Sequence, residues 1–274
     1  MNLKKRLENV RAAGPLVHNI TNYVTVNDCA NILLACGGSP LMADDMNEAA
    51  DITAICGGLN INIGTLNERT IPSMYAAGRK AKELGHPVLL DPVGAGASAY
   101  RTETALGLLD EVKPDVIRGN ISEIKTLAEG SGTTKGVDAD AADAVTADTL
   151  DAAAALARNF AERTGAVVVI TGATDIISDG ARTVCITNGC PMMSTITGSG
   201  CMLSSMTTAY LTANQDDLFE AAAAAVCAMG LCGEKAESRM SELDGNSTFR
   251  NYLIDAVYNL TPEELEKGAK YELR

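Results

Sequence analysis

The chain has 274 residues, 46% of them apolar, and carries 22 Lys and Arg against 35 Asp and Glu, for a formal net charge of −13. That length and apolar content suffice for one α/β core, so a single domain over 1–274 is expected. The acidic balance argues against a surface built for nucleic acid or an anionic membrane, which call for clustered Lys and Arg, and any phosphate site must therefore be local. The opening MNLKKRLENV has no apolar stretch of signal-peptide length, and no run of about 18 apolar residues occurs, so a soluble cytoplasmic protein is expected. Eight cysteines, none in a CxxC pair, and only two histidines, His18 and His86, give no zinc-ligand spacing; the cysteines read as reduced thiols, most of them buried.

PLVHNI predicts a strand over 15–20, followed by a helix over 26–35. LNINI predicts a strand over 59–63 and leads to a helix over 68–84; PVLLD predicts a strand over 87–91 and leads to a helix over 102–111. DVIR predicts a strand over 115–118, with a helix over 122–128 behind it. A helix over 146–163, with Thr146 as its N-cap and Thr164-Gly165 as its stop, precedes a strand from AVVVIT over 166–171. Several of these strands are short, continuous runs of Val, Ile and Leu separated by helices, the pattern of a parallel sheet covered by helices on both faces. Beyond Thr171 the rhythm changes, and Asp179-Gly180 and Asn188-Gly189 predict hairpin turns and an antiparallel edge. TGSGC (197–201) then opens a helix, followed by the Ala-rich FEAAAAAVCAMGLCGEKAESR, read as a buried helix, and two shorter helices.

In an open α/β sheet, ligands bind beyond the carboxyl ends of the strands. Three polar segments stand at such ends: DPVGAG (91–96), RGNISEI (118–124) and ITG (170–172). The TGSGC turn adds glycines and hydroxyl residues at a helix start, where unpaired N–H groups and the positive end of the helix dipole can receive an anion. Such glycines also serve simply to make a bend. No Lys follows a Gly, so GxxxxGK[ST] is missing, and neither GAGASA nor GSGCML completes GxGxxG. Asp91 could meet Mg²⁺ through water or orient a substrate hydroxyl, or could cap a turn. Arg118, following a buried strand, calls for an anion: a phosphate, which matches its fork, or an internal carboxylate. Glu123 is either an acid near the metal, acting through water, or a first-turn helix acid. Cys201, near a helix N-terminus, is expected to have a lowered pKa and to serve as a weak base or nucleophile, unless it is simply buried. His18 reads as a core or turn histidine.

HNITN (18–22), SPLM (39–42), NIGTL (62–66), DPVGAGA (91–97), RGNISEI, KGVDA (135–139), ITG and TGSGC, taken in this order, resemble the hydroxyethylthiazole kinase family. The resemblance implies a ribokinase-like α/β fold and transfer of the γ-phosphoryl of ATP, with Mg²⁺, to the primary hydroxyl of 4-methyl-5-(2-hydroxyethyl)thiazole for thiamine synthesis or salvage. It implies that Met42 and Gly198 contact the thiazole, that Arg118, Thr171 and Asn22 contact ATP, and that Asp91 and Glu123 lie near Mg²⁺. Cys201 takes the position of the catalytic base, with Asp91 beside it. A homotrimer with active sites between subunits is also implied. Tyr23, the Asn27-Asp28-Cys29 run and GNSTF (245–249) depart from the family's pattern on the thiazole side. The alternatives are a related kinase for hydroxymethylpyrimidine or a sugar, which usually has Asp where Cys201 stands, a lyase on the same fold, or a nucleotide-binding module without turnover.

Overall fold

The computed structural model describes residues 1–130, 134–135, 138–139 and 149–274. Helix α1 (Leu3–Ala13) starts at Asn2, whose side chain accepts from Lys5 N–H, and it buries Leu3, Leu7 and Val10. This amphipathic helix precedes the first strand predicted from the sequence. The chain continues through β1 (Leu16–Ile20), α2 (Val26–Cys36), β2 (Ser39–Met42), α3 (Ala49–Ile55), β3 (Gly58–Asn62), α4 (Thr70–Leu84), β4 (Val88–Asp91), α5 (Ala99–Glu111), β5 (Val116–Asn120) and α6 (Ile121–Glu129). A short ribbon, β6 (Thr134–Lys135) and β7 (Asp138–Ala139), precedes α7 (Leu150–Thr164), β8 (Val167–Thr171), β9 (Asp175–Ser178) and β10 (Thr183–Ile186). A 3-10 turn (Pro191–Thr195) leads to α8 (Ser199–Ala213), α9 (Leu218–Ser238), α10 (Asn246–Asn259), α11 (Pro262–Gly268) and β11 (Tyr271–Leu273).

Among the described residues the main sheet has nine strands in the order β11-β10-β9-β8-β5-β4-β3-β1-β2. The six from β2 to β8 run parallel, and β9, β10 and β11 add an antiparallel edge. Alternation along the strands feeds two cores: Leu89, Val116 and Val169 face one, while Leu90, Ile117, Val168 and Ile170 face the other. Helices α1, α2, α8, α9 and α10 pack around the first, and α4 to α7 around the second. The expected α/β architecture is therefore present, with β2, α3 and β11 as elements the sequence pattern did not reveal.

Two boundary expectations change. Asn188-Gly189 closes no hairpin: Asn188 donates to Glu234 Oε1 and Gly268 O and accepts from Lys270 N–H, so its amide fastens the chain to α9 and to the lead-in to β11. Asp179-Gly180 does join β9 to β10. Thr146, expected as a cap, and Gly136 and Val137 of KGVDA lie outside the described residues; the helix begins at Leu150.

Beneath α8 the sheet is not apolar. Asn19 on β1 and Asn60 on β3 are buried there, and Asn19 Oδ1 accepts from both Asn60 Nδ2 and Ser205 Oγ at 3.0 Å. Asn60 Nδ2 also donates to Ser205 Oγ at 3.1 Å, and Ser204 Oγ donates to Asp91 Oδ2 at 2.8 Å. The first turns of the helix thus rest on hydrogen bonds to strand residues through Ser204 and Ser205, while Met206, Ala209 and Tyr210 join the apolar core.

Candidate active site

All six parallel strands end at one edge of the sheet, and a cleft of about 1140 Å³ opens beside that edge. Its wall includes Asn22, Arg118, Glu123, Thr171, Gly198 and Cys201, candidate site residues from four segments distant in sequence. Met42 ends β2 and is not part of this wall, and Asp91 lies beneath it, fully buried.

The TGSGC turn positions α8. Gly198 is its N-cap with φ +87°, and a Cβ there would lie 2.4 Å from Thr25 Cγ2, so both backbone conformation and close approach require glycine. No side chain caps this 15-residue helix at its start. Its first N–H groups therefore lack intrahelical partners where the helix meets the cleft, an arrangement suited to an anion.

Arg118, on β5, lies across that helix start. Its Nη2 donates to Thr171 Oγ1 at 2.6 Å, and its Nη1 is 3.5 Å from Asp91 Oδ2. The Nε is buried without a protein partner. A carboxylate neighbours Arg118, and the guanidinium retains an unused donor.

Asp91 caps no turn. Its Oδ2 accepts from Asn62 Nδ2 and Ser204 Oγ, both at 2.8 Å, and its Oδ1 is buried without a protein partner. Burial pushes its carboxyl above the ordinary range, opposed by Arg118, Ser204 and Asn62. Glu123 forms a capping box with Asn120: its Oε2 accepts from Asn120 N–H at 2.8 Å, while Asn120 Oδ1 accepts from Glu123 N–H at 2.9 Å. Its Oε1 accepts from Gly94 N–H at 2.8 Å, tying α6 to the loop after Asp91. Burial and the neighbouring Asp91 push Glu123 up to about 7.

Cys201 departs from expectation. Burial, then the nearby Asp91 and Cys29, push its thiol up to about 11, outweighing a hydrogen bond from Thr25 and the attraction of Arg118. A helix start favours a thiolate, but desolvation in a pocket that already holds a carboxylate wins. The sulfur accepts from Asn22 Nδ2 at 3.2 Å and Asn62 Nδ2 at 3.3 Å. The Asn22 amide is engaged throughout, since its Oδ1 accepts from Thr25 N–H and Oγ1.

Two further residues emerge. Asn62 links Cys201 to Asp91, and Asp175, in the cleft wall, holds the turn after Thr171 by accepting from Gly172 N–H at 2.9 Å. Burial pushes Asp175 up to about 7. The alternating asparagines of LNINI were the available sequence signal for Asn62, because polar residues at period two in a buried strand need polar partners. His18 is a core histidine, fully buried between Thr53 Oγ1 and Ala43 O.

For a divalent cation, the relevant observation is the buried Asp91 Oδ1, an acceptor without a protein partner beside a second carboxylate, Glu123. Oxygen donors of this kind suit Mg²⁺. All eight cysteines are free, and no helix among the described residues is long and apolar enough to cross a membrane.

Residues 7–263 match the hydroxyethylthiazole kinase family. The chain is 63% identical over 270 residues to the hydroxyethylthiazole kinase of Clostridium acetobutylicum, covering 98% of this chain and 99% of that one. The solved structure of the hydroxyethylthiazole kinase protein of Pyrococcus horikoshii OT3 superposes with a TM-score of 0.88 at 34% identity, covering 99% of this chain and 98% of that one. A ribokinase-like superfamily protein of Enterococcus faecalis V583 shares the fold, with a TM-score of 0.61 at 13% identity over 96% of this chain and 89% of that one.

Proposed function

Because the chain belongs to the hydroxyethylthiazole kinase family, we infer that it transfers the γ-phosphoryl group of ATP to the primary hydroxyl of 4-methyl-5-(2-hydroxyethyl)thiazole, a step toward thiamine. The observation that carries this reading is the uncapped start of α8 facing Arg118, whose Nε lacks a protein partner at the carboxyl ends of the parallel strands. Phosphoryl transfer depends mainly on positioning and on stabilising charge at the moving group, and N–H groups with a fixed guanidinium supply both.

In this reading Arg118 and Thr171 contact the phosphates of ATP, with Asn22 at the same end of the cleft, and Gly198 and Met42 contact the thiazole. Asp91 and Glu123 would hold Mg²⁺, in part through water, and the bound ion would supply neutralisation of phosphate charge. Cys201 stands where the acceptor hydroxyl loses its proton. With its thiol pushed up to about 11, it is protonated near neutrality, and its sulfur is held by two amide donors. Its contribution is therefore chiefly to orient the alcohol, whose proton passes to an oxygen of the transferred phosphoryl group, while the α8 N–H groups and Arg118 lower the barrier.

The chain works as one domain over 1–274, since the main sheet draws strands from Leu16 to Leu273. Eight free thiols support a reducing compartment, the cytoplasm. Exposed Tyr23 and Val24 on the loop after β1, with Met42 outside the wall of the single-chain cleft, support a homotrimer whose sites are completed between subunits.

The test is incubation with ATP, Mg²⁺ and the thiazole alcohol, with hydroxymethylpyrimidine and a sugar as competing acceptors. Thiazole phosphate as the main product supports the reading. ATP binding without thiazole phosphate sinks it.

A further inference from the structure

We infer that Asn62 is a positioning residue for the transfer step, holding the Cys201 sulfur and the Asp91 carboxylate in one fixed arrangement; this rests on the kinase reading above. Asn62 ends β3, in register with Asp91 on β4, and is almost wholly buried. Its amide orientation is dictated by its neighbours. Gly64 N–H can only donate and lies 2.9 Å from Oδ1; the Asp91 carboxylate accepts at 2.8 Å from Nδ2.

The remaining capacity of the amide is used as well. Oδ1 also accepts from Asn22 Nδ2 at 3.0 Å, and Nδ2 also donates to Cys201 Sγ at 3.3 Å. Asn22 Nδ2 then donates to the same sulfur at 3.2 Å. One side chain thus joins four segments: the loop after β1, the turn after β3, the end of β4 and the first turn of α8. The sulfur receives two N–H groups, one on each lone pair, which restricts where its own hydrogen points. The carboxylate is held through Oδ2 by Asn62 and Ser204, which leaves Oδ1 as its one atom without a protein partner.

The two ends of the Asn62 amide have separable duties. The oxygen shapes the Gly64 turn, where a Cβ on residue 64 would sit 2.9 Å from Asn62 Oδ1 and from the Asn22 side chain. The nitrogen reaches the two groups beside the reacting atoms. It touches neither Arg118 nor Thr171 directly, reaching Arg118 only through Asp91, so its loss is expected to fall more on turnover than on ATP binding.

The experiment compares Asn62→Ser and Asn62→Ala, each made with and without Cys201→Ala. A serine hydroxyl can still accept from the N–H two residues on, keeping the turn, but cannot span to Cys201 or Asp91. Asn62→Ser therefore remains informative where Asn62→Ala fails to fold. Loss of fixed geometry of this kind is expected to lower kcat by about 10- to 100-fold with KM for ATP within about threefold. The loss is expected to shrink markedly in the Cys201→Ala background, because part of it acts through the sulfur. Full kcat in Asn62→Ser, or an equal loss with and without Cys201, overturns the inference. Thiazole phosphate formation by the unmodified enzyme, measured alongside, tests the kinase reading separately.

Discussion

The close approach of Arg118 to the first turn of α8 makes Gly200→Ala a sharp perturbation. A methyl group on Gly200 would lie 2.6 Å from both Arg118 Nη1 and Nη2 and 2.9 Å from Cζ. Carbon and nitrogen settle nearer about 3.5 Å, so the guanidinium must retreat by roughly 1 Å. That displacement breaks the 2.6 Å bond to Thr171 and withdraws the fork from the anion-receptive turn. The fold itself has little to lose, because the obstructed atoms end a flexible side chain, and alanine is a better helix residue than glycine by about 1 kcal/mol. A hydrogen bond to a charged group contributes about 1.5–3 kcal/mol, so KM for ATP is expected to rise by about 10- to 150-fold. Steady-state kinetics in both substrates, with thermal unfolding of the same preparations, makes the comparison. The expected result is poorer use of ATP, KM for the thiazole within about threefold, and a Tm lowered by no more than a few degrees, since the gain of about 1 kcal/mol in helix propensity offsets part of the lost Thr171 bond. An unchanged KM for ATP in a folded Gly200→Ala enzyme would refute the placement of Arg118 against the phosphates.

Three other outcomes are expected. Arg118→Ala weakens ATP binding far more than thiazole binding; calorimetry showing the reverse would remove Arg118 from the phosphate site. Cys201→Ala keeps measurable turnover, with a loss below the upper range of about 10⁴-fold for a positioned base, because the thiol at about 11 is protonated near neutrality. Complete loss with fold and ATP binding intact would make Cys201 indispensable. Glu123, pushed up to about 7 from an ordinary 4.5, binds a proton more tightly folded than unfolded. Its contribution to stability is thus full below about pH 4.5, declines as pH rises to about 7 by on the order of 3 kcal/mol, and is flat above. In metal-free denaturant titrations, Glu123→Gln is expected to flatten that decline and to be less stable than the parent at pH 5, where its single acceptor leaves Gly94 or Asn120 N–H unmatched. A slope unchanged by the substitution would place the titration elsewhere.

The strand ends were legible because each functional segment follows a short buried run: DPVGAG after VLL, RGNISE after DVI, and ITG after VVV. The sheet then gathers them without further instruction. What local pattern could not supply came from contacts distant in sequence. Strand β11 pairs with β10 across most of a hundred residues, and Asn188-Gly189, a sound hairpin dipeptide by itself, is claimed by Glu234, Gly268 and Lys270. The thiol of Cys201 was misjudged for the same reason. Its helix-end position is written in TGSGC, whereas the burial and the Asp91 charge that raise it come from β4. Glu123 was readable as a first-turn acid from RGNISE, but its bond to Gly94 N–H was not.

The hydrogen-bonded seam beneath α8 bears on how this chain can change. A helix lying on aliphatic side chains can slide by a fraction of a turn and repack, whereas one held by Asn19 and Asn60 through Ser205 and by Asp91 through Ser204 is pinned in register. Asn60 Oδ1 beneath the helix and Thr207 Oγ1 on it are buried without protein partners, and such groups lower stability relative to aliphatic side chains of the same shape. Heat resistance and activity therefore pull against each other along one helix. Substitutions that make the helix greasier are open to selection for hardiness at positions such as Thr207, and become hazardous on approaching Ser204, where the helix begins to fix the alignment of its own first turn.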